Sequence, residues 1–101
     1  MKPEDYGFSE EEYNILIQEI NRFVGVTEII LYGSRALGKF GRGSDVDLAL
    51  KGIDKETALR IKLVLNEAAP LAYTFDVVSF DDLRESDFKE VIRTEGKRIF
   101  S

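Results

Sequence analysis

Three aspartates and a glycine-serine turn are the residues of this chain whose types and spacing could do chemistry. Asp45 and Asp47 stand i, i+2 at the start of the apolar run Val46-Asp47-Leu48-Ala49-Leu50. On a strand, that spacing puts both carboxylates on one face, with Cα atoms roughly 6.5 to 7 Å apart. Such a pair suits the divalent cations of a two-metal phosphoryl-transfer site, which sit about 3.5 to 4 Å from each other. Asp76 interrupts a second apolar run, Tyr73-Thr74-Phe75-Asp76-Val77-Val78. Gly33-Ser34 ends a third, Ile29-Ile30-Leu31-Tyr32, where glycine lets backbone N–H groups come close to a phosphate. Ser34 adds a hydroxyl donor, and Arg35 directly after it is placed for a phosphate contact. Together these features point to transfer of a nucleotidyl group.

An Asp-x-Asp pair alone is a weak signal, because exposed strands and turns often carry one. Here the context strengthens it. Carboxylates set among β-branched and aromatic residues are costly unless paired or metal-bound, and three on one sheet face repel one another. Rival motifs fail. Gly38-Lys39-Phe40 lacks the Ser/Thr and the upstream glycine of a P-loop. Gly38, Gly41 and Gly43 run in the wrong order for a dinucleotide fingerprint. Two carboxylates i, i+2 on one strand cannot flank a sugar from opposite faces as a glycosidase requires.

The elements that must position these groups follow from the pattern. Ser9-Glu10-Glu11-Glu12 reads as a capping box opening a helix with Tyr13, Leu16, Ile17, Ile20 and Phe23 on one stripe, ended by Gly25. Thr27 to Tyr32 is a buried strand, followed by a short turn over Arg35 to Gly38 and a flexible basic loop from Lys39 to Ser44. The second strand is Val46 to Leu50. Asp54 caps a second helix whose Leu59, Ile61, Leu63, Val64, Leu65 and Ala68 run toward Pro70. A third strand spans Tyr73 to Phe80, parallel to the second because a helix separates them. A last helix begins near Ser86, presents Phe88, Val91 and Ile92, and stops at Gly96, leaving Lys97 to Ser101 as a tail. The expected architecture is α+β, a small mixed sheet with helices packed against it, in one domain over residues 1–101.

Composition narrows the chemistry. The 101 residues contain no Cys and no His, which excludes thiol and Ser-His-Asp catalysis and any zinc site built on those ligands. Oxygen ligands favour Mg²⁺, Mn²⁺ or Ca²⁺. A net charge of −5 argues against a long nucleic-acid footprint. No apolar run approaches the roughly 20 residues of a membrane span, and the first residues lack a secretory signal, so a cytosolic protein is expected.

Leu31-Tyr32-Gly33-Ser34-Arg35-Ala36, then Gly43-Ser44-Asp45-Val46-Asp47-Leu48, then Phe75-Asp76-Val77-Val78, resembles the signature of the polymerase-β-like nucleotidyltransferase superfamily. With its small size and its close, Val91 to Phe100, the chain is most similar to the minimal nucleotidyltransferase branch, the MNT-type antitoxins. The resemblance implies a nucleotide site at Gly33, Ser34, Arg35 and Ser44. It implies that Asp45, Asp47 and Asp76 hold two Mg²⁺ ions (or Mn²⁺), with Asp76 helping to deprotonate the attacking hydroxyl. The implied reaction moves NMP from an NTP, most often AMP from ATP. The implied partner is a helical HEPN-type toxin whose tyrosine accepts the nucleotide, in a homo- or hetero-oligomer. Leu37 departs from the Arg or Lys common in relatives. The alternative is a non-catalytic module that neutralises a partner by covering it.

Overall fold

A computed structural model describes residues 2–101. After a short 3₁₀ turn at Pro3–Tyr6, α1 (Glu10–Ile20) opens with the capping box the sequence calls for. Glu12 N–H donates to Ser9 Oγ, and Ser9 N–H donates to Glu12 Oε1. α1 closes at Ile20 with Asn21 as cap, five residues short of Gly25, and turns carry the chain onward. The helical part of the stripe therefore stops at Ile20; Phe23, in the turn beyond, still packs against the core, while Val24 is fully exposed.

The strands are β1 (Glu28–Tyr32), β2 (Val46–Lys51), β3 (Phe75–Ser79) and β4 (Lys97–Phe100), in the order β3-β2-β1-β4. β2 runs antiparallel to β1 and parallel to β3. The right-hand member is a correction to the sequence reading: Lys97 to Phe100 is no tail but an antiparallel partner of β1, with a register shift between Ile29 and Ile30. Ile99 is buried in the core, and its carbonyl accepts a hydrogen bond from the Tyr13 hydroxyl of α1.

α2 (Lys55–Glu67) starts at Asp54, whose carboxylate accepts from Thr57 N–H. It buries Ala58, Ile61 and Leu65 but leaves Leu59 and Leu63 about half exposed, so its apolar face is narrower than the sequence stripe. α3 (Asp87–Glu95) starts at Ser86, buries Ile92 and Lys89, and leaves Phe88 and Val91 outward. Side-chain alternation divides the sheet. Ile29, Leu31, Val46, Leu48, Leu50, Phe75 and Val77 join Leu16, Ile20, Ile61 and Leu65 in the main core. Ile30, Tyr32, Ala49, Phe80 and Ile92 pack together on the opposite side, where α3 lies. At the outer edge of the sheet, the Asn66 side-chain amide faces β3. It donates to the Phe75 carbonyl at 2.9 Å and accepts from the Phe75 N–H at 2.8 Å. No helix is long and apolar enough to cross a membrane among the described residues.

Candidate active site

The α3 side of the sheet carries the acidic residues. Register places Tyr32 opposite Asp47 and Asp47 opposite Asp76, so a phenol and two carboxylates stand in one row across β1, β2 and β3. Asp45 lies one residue ahead of β2 and is exposed, while Asp47 and Asp76 are partly buried. Gly33 sits against this row. Its φ is +77°, and a Cβ added there would collide with Asp47 Oδ2, so only glycine fits beside the carboxylate.

The turn after Gly33 is closed by Leu37 N–H to the Gly33 carbonyl (3.3 Å), Gly38 N–H to Arg35 (3.2 Å) and Lys39 N–H to Ser34 (2.9 Å). As at the start of any helical turn, the earlier N–H groups of Ser34, Arg35 and Ala36 enter no such bond among the described residues. Those are the donors an anion beside Asp47 would meet.

Burial raises the Asp47 carboxyl pKa above its ordinary value, and the charges of Asp76 and Asp45 raise it further. Asp47 thus feels both of the other carboxylates. Tyr32 is also pushed far up, first by burial and then by Asp76 and Asp47, so its phenol stays protonated. A raised carboxyl pKa means the folded chain holds that proton more tightly than the unfolded chain does. Ionised Asp47 therefore opposes folding once pH exceeds the unfolded-state value of about 4. Asp47→Asn is expected to raise the melting temperature of the metal-free protein at neutral pH, and the gain should vanish as pH falls below about 4. Solvent screening keeps the gain under about 1 kcal/mol, or roughly 4–8 °C in a domain of this size. Thermal unfolding of both proteins at the two pH values measures it.

Among the described residues, no three acidic side chains converge into a ready-made metal cage. Asp76 is instead drawn to α2, where Lys62 Nζ lies 3.2 Å from its Oδ1. Both side chains are substantially exposed, so the pair holds little energy and a stronger cation could displace the lysine. The donor set itself, all carboxylate oxygen, fits a hard divalent ion.

Two residues expected at phosphate have other partners. Arg35 is 1% exposed. Its guanidinium donates to the Ser44 carbonyl from Nε (3.2 Å) and Nη2 (2.8 Å), and to the Tyr6 carbonyl from Nη1 (3.0 Å). The rings of Phe8, Phe40 and Tyr73 surround it, with centroids 5.3, 5.3 and 4.9 Å from Cζ. The Ser44 hydroxyl accepts from Gly41 N–H. In this structure Arg35 is a brace: the side chain ties the loop before Asp45 to the N-terminal segment. That loop is accordingly pinned at Ser44 rather than free along its length. No site role is legible in the sequence for Lys62, which lies in no motif, or for Tyr32, which lies in the signature before Gly33. Only the strand register brings Tyr32 to the row, and only the packing of α2 beside β3 brings Lys62 to Asp76.

Residues 14–101 match the family model described as polymerase beta, nucleotidyltransferase. The chain belongs to the polymerase β nucleotidyltransferase family. A toxin-antitoxin structure with AMP-PNP superposes with a TM-score of 0.74 at 22% identity, covering 88% of this chain and 73% of that one. A mutant of the toxin-antitoxin MntA-HpeT, with two aspartates replaced by glutamate, gives 0.71 at 19% identity, covering 88% and 72%. At these identities the likeness is one of fold, and it matches the small mixed sheet expected from the sequence. No curated protein matches the chain.

Proposed function

We propose that this chain is a minimal nucleotidyltransferase antitoxin that moves AMP from ATP to a hydroxyl of a partner protein, a tyrosine of a HEPN-type toxin. The observation that carries this reading is the row of Asp47 and Asp76 beside the Gly33 turn, with Asp45 close enough to raise the Asp47 pKa. The fold shared with toxin-antitoxin structures, one of them with AMP-PNP, supports both the partner and the nucleotide. The substituted aspartates of the MntA-HpeT mutant are also two residues apart, as Asp45 and Asp47 are.

In the proposed reaction the N–H groups after Gly33 and the Ser34 hydroxyl receive the β- and γ-phosphates. Asp45, Asp47 and Asp76 would hold two Mg²⁺ ions (or Mn²⁺), which when bound neutralise charge on the triphosphate and on the departing pyrophosphate. The acceptor oxygen attacks the α-phosphorus, the bond from that phosphorus to its bridging oxygen breaks, and pyrophosphate leaves. Asp76, released from Lys62, takes the hydroxyl proton. Arg35 and Ser44 act by fixing the loop that delivers Asp45.

A second reading is neutralisation by binding alone, favoured by the Asp76–Lys62 pair, which occupies one of the three carboxylates. Incubating the protein with ATP, Mg²⁺ and a HEPN-type partner from its own genome, then weighing the partner by mass spectrometry, separates the two. A gain of one or more AMP units supports transfer; inhibition of the partner with unchanged mass supports covering.

A further inference from the structure

α2 turns two leucines outward, one helical turn apart. Leu59 is 55% exposed and Leu63 48%, although the helix buries Ala58, Ile61 and Leu65 beside them. Between this helix and β3 opens a cleft of about 310 Å³ whose walls include Lys55, Leu59, Lys62, Val78 and Leu83. Val78 lies two residues beyond Asp76 on the same face of β3, and Lys62 is the residue whose Nζ stands 3.2 Å from Asp76 Oδ1. The apolar surface of α2 is therefore continuous with the β3 end of the acidic row. The helix also differs from its neighbours in charge. On α2 Lys55, Arg60 and Lys62 outweigh Glu56 and Glu67, whereas α1 and α3 are each net acidic, as is the whole chain at −5.

In an in-line displacement the nucleophile enters opposite the leaving group. With pyrophosphate departing toward the Gly33 turn at the end of β1, the acceptor hydroxyl has to arrive from the side of β3. β3 is the outer strand of the sheet, and α2 packs beside it. We propose that Leu59 and Leu63 seat a helix of the partner protein, one whose apolar stripe is flanked by acidic side chains that meet Lys55, Arg60 and Lys62. Leucines at i, i+4 form the ridge on which such a helix packs, and the basic rim selects its charge. That this face delivers the acceptor rests on the nucleotidyltransferase reading; that it docks a partner rests on α2 itself.

The test is calorimetric association with the HEPN-type partner for wild type, the double variant Leu59→Ser with Leu63→Ser, Lys55→Glu and Val91→Ser. Binding of inorganic tripolyphosphate with Mg²⁺ is measured on each. The double variant is expected to bind the partner at least about ten-fold more weakly while taking tripolyphosphate as wild type does. Lys55→Glu puts an acid in the first turn of α2, which suits the helix, yet it should weaken association several-fold at low salt, with the difference closing toward about 1 M. Val91→Ser, on the outward face of α3, should associate like wild type. Unchanged association in the double variant, or a loss in Val91→Ser instead, would overturn the docking face. So would failure of wild type to associate at all. Dimerisation of the chain alone, seen by sedimentation and abolished in the double variant, would overturn it too, since the leucines would then belong to a second copy. A wild type that associates through Leu59 and Leu63 but binds no tripolyphosphate would keep the docking face and remove the transfer reading.

Discussion

Asp47→Asn and Asp45→Asn are each expected to cut AMP transfer by at least about 10³-fold, chiefly in kcat. A metal-bound carboxylate contributes several kcal/mol of transition-state charge stabilisation, and every 1.36 kcal/mol is about a factor of ten in rate. Single-turnover transfer of label from α-labelled ATP to the partner measures the loss. For Asp47 the result has an internal control. Because the wild-type carboxylate is half-buried beside Asp76 and Asp45, its amide replacement should fold at least as well. An inactive but more stable variant is the signature of a group kept for chemistry against the interest of the fold. Undiminished transfer in either variant would take that residue out of the mechanism.

Arg35→Ala should lower stability by about 2–5 kcal/mol, a large share of the roughly 5–15 kcal/mol available to a small domain. The side chain is fully buried, so its loss opens a cavity among Phe8, Phe40 and Tyr73 and strips donors from the Ser44 and Tyr6 carbonyls. Gly7 packs against the same guanidinium and against Phe40, with no room for a Cβ to adjust. Arg35→Lys should recover only part of the loss. One ammonium cannot reproduce the planar fork that reaches both carbonyls, nor stack as the guanidinium does. Urea unfolding of the three proteins gives the ranking wild type, Lys, Ala. Equal midpoints for wild type and Arg35→Ala would show that the brace is idle.

Arg35 also marks where the sequence stops being legible. Its position after the Gly-Ser turn invites a phosphate role, and no local pattern reveals that Tyr6 and Phe8 fold back to enclose it. Elements set by neighbours in sequence were readable: Ser9, Asp54 and Ser86 cap their helices through bonds to residues three positions on. Alternation in Val46 to Leu50 and in Phe75 to Val78 put Asp47 and Asp76 on one face before any register was known. What depended on distant contacts was not readable. Lys97-Arg98-Ile99-Phe100 is half charged and four residues long, and only pairing with β1 makes it a strand. Leu59 and Leu63 look like core on a helical wheel, but α2 lies at the sheet's margin and leaves them in water. Lys62 reaches Asp76 for the same reason.

The Asn66 amide has a consequence for how this protein meets other chains. A terminal strand with open peptide groups is a template on which a foreign segment can polymerise or a partner can add itself as a further rung. At Phe75 that rung is already filled from within, by one side chain imitating a neighbouring backbone. Edge-to-edge growth is thereby blocked at Phe75, the rung next to Asp76.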